Sequence, residues 1–382
     1  MRPLPILPVA TVGSWPRPES LLRAQKLRRA GRIGASELAR EEDQAVLEAL
    51  RLQEEAGVDV VTDGEQRRDN FYSFVADKLE GVQMMTLAEL LDVVEDKAGF
   101  ERILQTLDVP AYSISNPTCC GKIRRRQPLA VDELKFLRQH TTKAVKVPLP
   151  GPYILTRAMW VEAVTRNAYR SKEELAEDIV KVLCDEIQEL VEAGVDFIQL
   201  DEPVLTELVF TQGHTRTFMC AALAARKDPA EELAFAVGLL QRVLGAARGV
   251  RTGLHVCRGN WSRDESTLLR GGYQPLREHF DAIPVDQLVL EYATQRAGDL
   301  LFFEGKEIGL GVVNPRTDGV EPPLDIQRAV ERALRLYPAD KLFLNPDCGF
   351  GTFSRRPINS AGIAQSKLRS IVEAARALRE RV

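Results

Sequence analysis

The feature that most limits the fold of this chain is a series of short apolar runs, each ending in glycine, proline or a polar side chain. Eight such runs occur in order along the 382 residues: Pro8–Ser14, Val58–Glu65, Ala144–Gly151, Val195–Pro203, Thr252–Arg258, Gln287–Ala293, Ile308–Asn314 and Lys341–Cys348. Runs of Val, Ile and Leu without regular alternation are typical of parallel strands buried on both faces. Eight of them, separated by helical patterns, favour a single (β/α)8 TIM barrel over a doubly wound sheet, both of the α/β class.

Amphipathic helical patterns lie between the runs. Apolar residues recur at helical spacing over Leu38–Ala56, and Gly57 follows as an expected C-cap. Ser171 precedes Glu174 by three residues, which is the spacing of a capping box, so a helix is expected over Ser171–Ala193. Two similar patterns predict helices over Leu324–Tyr337 and Ile363–Arg381.

One segment breaks this alternation. Between the second and third runs, residues 66–143 contain no recognisable barrel unit. We expect one domain over residues 1–382, with this segment as an insertion across the barrel mouth that contains a small hairpin and helices. Long insertions of this kind usually act as lids or binding loops.

Composition excludes several classes of protein. A net charge of −4 provides no basic field for nucleic acid or an anionic membrane. The chain contains no apolar stretch long enough for a membrane span, and four prolines interrupt its apolar N-terminus where a signal peptide would lie. Six irregularly spaced cysteines do not indicate a disulfide framework. Reduced thiols in a cytoplasmic protein are therefore expected.

Four side chains near strand ends have the character of metal ligands. His255 and Cys257 are two residues apart, so they point to the same face of a strand. Cys348 ends another run, and Glu291 lies inside an apolar one, where a carboxylate is costly to bury unless a cation meets it. One nitrogen, two thiolates and a carboxylate suit four-coordinate Zn²⁺.

Such a zinc site favours chemistry on sulfur. Thiolate-rich coordination activates water weakly, but it holds an incoming thiol as a thiolate near neutral pH. Glu291 would then act as a displaceable ligand that leaves when the substrate sulfur arrives. Hydrolysis, the rival reaction, usually requires histidine-rich sites with a nearby general base. The sequence therefore predicts alkyl transfer to a thiol.

Segments along almost the whole chain resemble the catalytic barrel of the cobalamin-independent methionine synthase family. They include TVGSWPRP at 11–18, TDGEQRRDNF at 62–71, FIQLDEPVL at 197–205, LHVCRGNW at 254–261 and NPDCGFGT at 345–352, of which the last two form the most specific pair. The resemblance implies a barrel of the methionine synthase and uroporphyrinogen decarboxylase-like type. It also implies a zinc ion bound by His255, Cys257, Glu291 and Cys348.

The same resemblance implies an amino-acid pocket for homocysteine. Ser14 matches a loop position whose backbone binds the carboxylate, while Glu65 and Asp201 match two acids that bind the amino group. Carboxylates pair well with an ammonium, and backbone amides with a carboxylate. Glu207 matches an acid that contacts the folate donor.

The chain also departs from the family pattern. It resembles short core members, which implies methylcobalamin or a corrinoid protein as the methyl donor instead of methyl-folate. Arg316 occupies the position of the family's proton-donating histidine. An arginine does not donate a proton at pH 7 but does bind an anion. The leading expectation is therefore a zinc-dependent S-methyltransferase that converts homocysteine to methionine with a corrinoid donor.

Two other functions fit parts of the sequence. An enzyme like epoxyalkane:coenzyme M transferase would use the same metal to open an epoxide, and Arg316, Arg17 or the Arg67–Arg68 pair would bind the sulfonate. The two acids of the pocket would then face an anion without purpose. A non-catalytic binding subunit is the third possibility, and the complete set of metal ligands argues against it.

Overall fold

Seven parallel strands form a curled sheet at the centre of the computed structural model, which describes residues 2–93, 97, 115–210, 228–260, 262–354 and 358–381. The described strands are β1 (Val60–Val61), β2 (Leu79–Thr86), β3 (Ser115–Arg125), β4 (Ala144–Pro150), β5 (Phe197–Asp201), β6 (Arg251–Val256), β7 (Gln287–Leu290), β8 (Glu307–Val313) and β9 (Leu342–Pro346). Within the sheet the order is β1-β4-β5-β6-β7-β8-β9, and every pair of neighbours is parallel.

The first predicted run closes this sheet into a barrel. Val9 forms a parallel bridge with Leu344 of β9, and Ala10 forms another with Val60 of β1. The Ala10 amide donates to the Leu344 carbonyl at 2.9 Å, which continues the hydrogen bonding across the gap. Only these two residues of the run take part in bridges, so this strand is as short as β1. The predicted (β/α)8 barrel is confirmed.

Helices join the strands of the barrel. The described α-helices are α1 (Glu19–Arg29), α2 (Ala35–Ala56), α3 (Leu87–Val93), α4 (Val131–Arg138), α5 (Pro152–Met159), α6 (Glu162–Thr165), α7 (Lys172–Glu192), α8 (Val204–Phe210), α9 (Pro229–Leu244), α10 (Arg277–Ala282), α11 (Pro323–Ala333) and α12 (Ala361–Arg379). As predicted, α2 ends before Gly57, whose φ of 90° is left-handed, and Ser171 caps α7 by accepting from the Glu174 amide at 3.2 Å. None of the helices in the described part of the chain is long and apolar enough to cross a bilayer.

The insertion contains the expected hairpin and helices. Its strands β2 and β3 pair antiparallel, α3 follows β2 and α4 follows β3. Asn70 bridges Phe353, and the Ser354 amide donates to the Asp69 carbonyl at 2.9 Å, so the start of the insertion contacts the loop after β9. Residues 94–96 and 98–114, which belong to the predicted insertion, lie outside the described residues.

The inward faces of the strands change from apolar to polar toward the barrel mouth. Along β5, the inner face carries Phe197, Gln199 and Asp201, since every second side chain of a strand points the same way. Phe197 packs in a small apolar layer inside the barrel, whereas Asp201 lines the cleft at the mouth. His255 and Cys257, on and just after β6, reach the same cleft. The strand ends therefore position the chemically active side chains.

Candidate metal centre and adjoining cleft

Three of the four predicted metal ligands come together at the barrel mouth. His255, Cys257 and Cys348 are buried, and their ligand atoms all lie within 4.8 Å of one another. His255 Nε2 is 3.4 Å from Cys348 Sγ. Because β6 and β9 end at the same edge of the barrel, residues distant in sequence converge there.

The imidazole of His255 is oriented by a main-chain carbonyl. His255 Nδ1 lies 3.0 Å from the oxygen of Val289 on the neighbouring strand β7. A carbonyl oxygen only accepts, so Nδ1 carries the proton in this hydrogen bond. The lone pair of neutral histidine is then on Nε2, on the side of Cys348. This outer contact is the one that a metal-binding histidine normally makes.

Protons in this cluster are shared unequally. The hydrogen bond from Cys348 stabilises the Cys257 thiolate and lowers its pKa to about 5, although burial opposes this. The same bond raises the pKa of Cys348 well above its usual range. Burial would lower the pKa of His255, but its hydrogen bond to Cys257 and nearby negative charge outweigh it, and its pKa is about 9. A donor set of one nitrogen and two sulfurs, already partly deprotonated, fits Zn²⁺.

The fourth predicted ligand, Glu291, lies in a cage of arginines beside this cluster. Its Oε1 is 3.2 Å from Arg316 NH1, and its Oε2 accepts from the Arg258 amide at 3.0 Å. Arg296 NH2 lies 3.4 Å from the same carboxylate. Burial opposes ionisation, but these guanidinium groups together hold the pKa of Glu291 below its ordinary value. The carboxylate is not one of the groups that lie within 4.8 Å of one another.

Arg316 is fully buried and faces acids of the protein itself. Besides Glu291, its guanidinium lies 3.6 Å from Asp347 Oδ2 and 3.6 Å from Glu265 Oε1. Asp347 in turn accepts from the amides of Tyr292 and Ala293, both at 2.8 Å. Arg316 does not line the cleft. Its contacts are those of a residue that balances buried carboxylates.

The other arginines considered for anion binding are similarly engaged. Arg17 donates to main-chain carbonyl groups, two of them at 2.6 and 2.9 Å. Arg68 forms a buried ion pair with Glu133 at 2.6 Å, and Arg67 pairs with Asp43 at 2.5 Å. None of these arginines lines the cleft.

A cleft of about 500 Å³, including its open mouth, adjoins the cluster. It is lined by Val12, Gly13, Ser14, Glu65, Phe71, Asp201, Pro203, His255, Cys257, Asn260, Cys348, Gly349, Thr352 and Phe353. Three of the four predicted substrate-binding residues are in this lining. Among the described residues that line it, two are carboxylates and none is lysine or arginine, so the charge of the cleft favours a cationic group.

Glu65 is strained and incompletely hydrogen-bonded. Its φ of 54° is left-handed, which is uncommon for a side chain of this size. Burial raises its pKa to about 7, with Arg68 opposing the rise, and Oε2 has no hydrogen-bond partner among the described residues. A Cβ atom at Gly13 would overlap the other carboxylate oxygen, so glycine is required there. Backbone strain and an unpaired buried oxygen are features that occur at functional positions, and the predicted role of Glu65 in binding the substrate stays a prediction.

Asp201 ends β5 next to the metal-binding cluster. It pairs in register with His255 on β6, and its Oδ1 accepts from Gln199 Nε2 at 2.8 Å. Burial raises its pKa to about 6, with the charge of His255 as the main opposing effect. The carboxylate therefore lies beside the metal-binding cluster with its pKa raised above the usual range.

Ser14 packs closely against the loop that follows β9. Its carbonyl accepts from the Phe350 amide at 2.9 Å. A Cβ atom at Gly349 would overlap Ser14 Oγ and lie 3.1 Å from the Ser14 nitrogen. Gly349 therefore allows the close approach of two loops that both line the cleft. The proposed contact of the Ser14 loop with a carboxylate remains a prediction.

Glu207, the fourth predicted substrate-binding residue, is not part of the cleft lining. It is buried on α8, where its Oε2 lies 3.9 Å from Arg157 NH1 on α5. Its predicted contact with the folate donor stays a prediction, and it concerns a residue outside the cleft lining.

Sequence reasoning missed several polar residues of the site. Asn260 donates to the Gly349 carbonyl at 2.7 Å and to Thr352 Oγ1 at 2.8 Å, joining the loops that follow β6 and β9. Gln199, deeper in the barrel, donates a hydrogen bond from Nε2 to Asp201 Oδ1 at 2.8 Å. Its position two residues before Asp201 in a strand was an available signal, because such residues share one face.

A family model and two of the most similar relatives point to the same protein family. The family model described as "Cobalamin-independent synthase, Catalytic domain" matches residues 7–377. Methionine synthase of Pyrococcus abyssi is 31% identical over 381 residues, which cover 99% of this chain and 94% of that protein. Methionine synthase of Saccharolobus solfataricus is 31% identical over 387 residues, which cover 100% and 97%.

Solved structures share the barrel fold. A B12-independent methionine synthase from Shewanella sp. W3-18-1, in complex with selenomethionine, superposes with a TM-score of 0.73 at 24% identity and 98% coverage of both chains. A putative vitamin-B12 independent methionine synthase from Listeria monocytogenes gives 0.70 at 21% identity, with 99% coverage of both.

Proposed function

The chain belongs to the cobalamin-independent methionine synthase family, and on that premise we propose that it transfers a methyl group to the thiol of homocysteine, giving methionine. One observation supports this most: a single cleft joins a buried His-Cys-Cys cluster to two buried carboxylates. Homocysteine carries a thiol at one end and an ammonium at the other, so it matches both parts of the cleft.

His255, Cys257 and Cys348 would hold Zn²⁺. When bound, zinc would keep a thiol ligand deprotonated near neutral pH, where a free thiol is mostly protonated. We propose Glu291 as the fourth ligand in the absence of substrate. The arginines around it would then stabilise its carboxylate once a substrate sulfur takes its place.

Glu65 and Asp201 would bind the ammonium group of the substrate, and the backbone of the Ser14 loop its carboxylate. An ammonium between the two acids would satisfy the unused oxygen of Glu65 and favour the ionised form of both. A sulfonate thiol such as coenzyme M would instead place an anion near these acids. No described arginine or lysine lines the cleft to compensate, so the coenzyme M alternative is disfavoured.

The corrinoid donor expected from the sequence finds no support, because the matched family is described as cobalamin-independent. We propose a methylated tetrahydropteroylglutamate as the donor, with Glu207 as a candidate contact. The nitrogen that loses the methyl group needs a proton. Arg316 is unsuited to supply it, since a guanidinium does not deprotonate at pH 7 and this one is bound to Glu291. Another group must therefore provide that proton.

The test is methionine formation by the zinc-loaded protein from homocysteine, with methyltetrahydropteroylglutamate or methylcobalamin as donor. Methionine from the folate donor, absent in Cys348→Ser, would support the proposal. Methionine from methylcobalamin alone would overturn the donor assignment. No methionine from either donor, with zinc bound, would overturn the proposed function.

A further inference from the structure

Two buried polar side chains, Gln199 and Lys146, lie below the cleft next to Asp201. Gln199 on β5 and Lys146 on β4 are 0% and 1% exposed, inside the barrel. Neither lines the cleft. Burying polar side chains in a barrel interior costs desolvation free energy unless hydrogen bonds compensate for it. An apolar pair of similar size would fill the same space without that cost.

The two side chains form a directed chain of hydrogen bonds. Lys146 Nζ donates to Gln199 Oε1 at 2.9 Å. Gln199 Nε2 donates to Asp201 Oδ1 at 2.8 Å and to the Val12 carbonyl at 3.1 Å. A charged lysine has only donors, and a neutral lysine still has two N–H donors. Lys146 can therefore donate to Gln199 in either protonation state.

This direction fixes the amide of Gln199. Rotating the amide by 180° would place its oxygen against two acceptors, the Asp201 carboxylate and the Val12 carbonyl, and its NH2 against the Lys146 amine. Both hydrogens of Nε2 are used in the observed orientation, and none is left for a competing partner. The amide therefore has one favourable position, set by Lys146 on one side and main chain on the other.

A fixed amide holds Asp201 in place. One carboxylate oxygen is bound by Gln199, which leaves the other for a group in the cleft. Asp201 also pairs in register with His255. The distance between the acid and the metal-binding cluster is thereby set by the barrel and by the Gln199 bond. A substrate held at both its sulfur and its nitrogen requires such a fixed distance.

We propose that Lys146 and Gln199 are positioning residues that make the site specific for thiols carrying an α-ammonium group. This inference rests on the proposed function. The preference for an amino-acid thiol would then depend on two residues that never touch the substrate.

The test compares two ligands that differ only in the amine. Calorimetric titration of the zinc-loaded protein with homocysteine and with 4-mercaptobutanoate, which lacks the amino group, gives the ratio of the dissociation constant of 4-mercaptobutanoate to that of homocysteine. In Gln199→Met this ratio should fall about 10-fold or more, since a hydrogen bond to a charged group is lost, while 4-mercaptobutanoate binds as before. Lys146→Met should change the ratio in the same direction by a smaller factor.

Gln53→Met is the matched control, because Gln53 is also a fully buried, hydrogen-bonded glutamine but lies on α2, outside the cleft. It should leave the ratio unchanged. An unchanged ratio in both Gln199→Met and Lys146→Met, with zinc content and circular dichroism intact, would overturn the inference and leave the proposed function standing. A wild-type protein that binds neither thiol would instead overturn the proposed function.

Discussion

His255 Nε2 lies 3.4 Å from Cys348 Sγ, although 93 residues separate them in the chain. In the sheet, two further strands lie between β6 and β9. The contact exists because parallel strands of a closed barrel end at one rim, where loops from distant parts of the chain meet. With Cys257 on the same strand face as His255, this contact brings together one nitrogen and two sulfurs, a donor set that could hold a soft metal ion.

Replacing either cysteine of this cluster should remove the metal. Cys257→Ser or Cys348→Ser exchanges a soft thiolate for a hydroxyl that stays protonated, so zinc should be lost on dialysis against a weak chelator. Metal analysis by mass spectrometry measures this. Cys184→Ser is the control, since Cys184 lies on α7 away from the cluster, and this variant should keep its zinc. Equal zinc retention in all three variants would disprove the site.

Glu65→Gln should weaken homocysteine binding without loss of zinc. The variant keeps the size of the side chain but removes one of two charges proposed to bind the ammonium. We expect the dissociation constant to rise at least about 10-fold, as for loss of a charge-assisted hydrogen bond. Calorimetry on the zinc-loaded variant measures the constant. Unchanged affinity would exclude Glu65 from the amine site.

The same variant should stabilise the metal-free, unliganded protein at alkaline pH. Burial raises the pKa of Glu65 from 4.5 to about 7, so the folded chain binds this proton more tightly than the unfolded chain. The free energy of unfolding therefore falls as pH rises from 4.5 to 7, and the loss is complete above pH 7. Glu65→Gln removes this loss, so its free energy of unfolding should exceed that of the wild type by about 3 kcal/mol at pH 8 and should not differ from it at pH 4.5. Thermal unfolding at both pH values tests the sign.

Gly13→Ala should impair substrate binding through Glu65. The added methyl group would overlap the Glu65 carboxylate, so that side chain must move from its position in the cleft. Homocysteine affinity should fall while zinc content stays the same. Gly238→Ala is the control, because a Cβ at this glycine of α9 meets nothing within 4 Å. It should raise the free energy of unfolding by about 0.5–1 kcal/mol, as expected for alanine in a helix.

Arg316→Met should destabilise the metal-free fold by about 3–5 kcal/mol, because it leaves Glu291 and Asp347 with less compensating charge in a buried environment. Chemical denaturation measures the loss. The double variant Arg316→Met, Glu291→Gln should lose less than the sum of the two single variants, since the uncompensated carboxylate is then gone. Strict additivity would show that the two residues do not interact.

Much of the fold was predictable because its signals are local. Each apolar run is contained in about eight residues, and Gly57 and Ser171 mark helix ends through their own backbone and side-chain preferences. The pairing of His255 and Cys257 follows from strand periodicity alone. Predicting that these two residues lie near Cys348 required only the assumption of a closed barrel.

Other parts of the site depend on contacts between distant segments. Glu291 was recognised as a buried acid that needs a cation, but its arginine partners come from three different loops. Arg316 looked like a free anion-binding group because nothing near it in sequence reveals Asp347 or Glu265. The chain from Lys146 to Gln199 joins neighbouring strands separated by a helical unit, so spacing alone could not disclose it.

We propose that the His-Cys-Cys cluster binds zinc and that this zinc receives the sulfur of homocysteine. X-ray absorption at the zinc K-edge counts the sulfur atoms around the metal before and after homocysteine is added. We expect two sulfur ligands in the zinc-loaded protein and three with homocysteine, and two throughout when methionine is added instead. A count that stays at two with saturating homocysteine would contradict it.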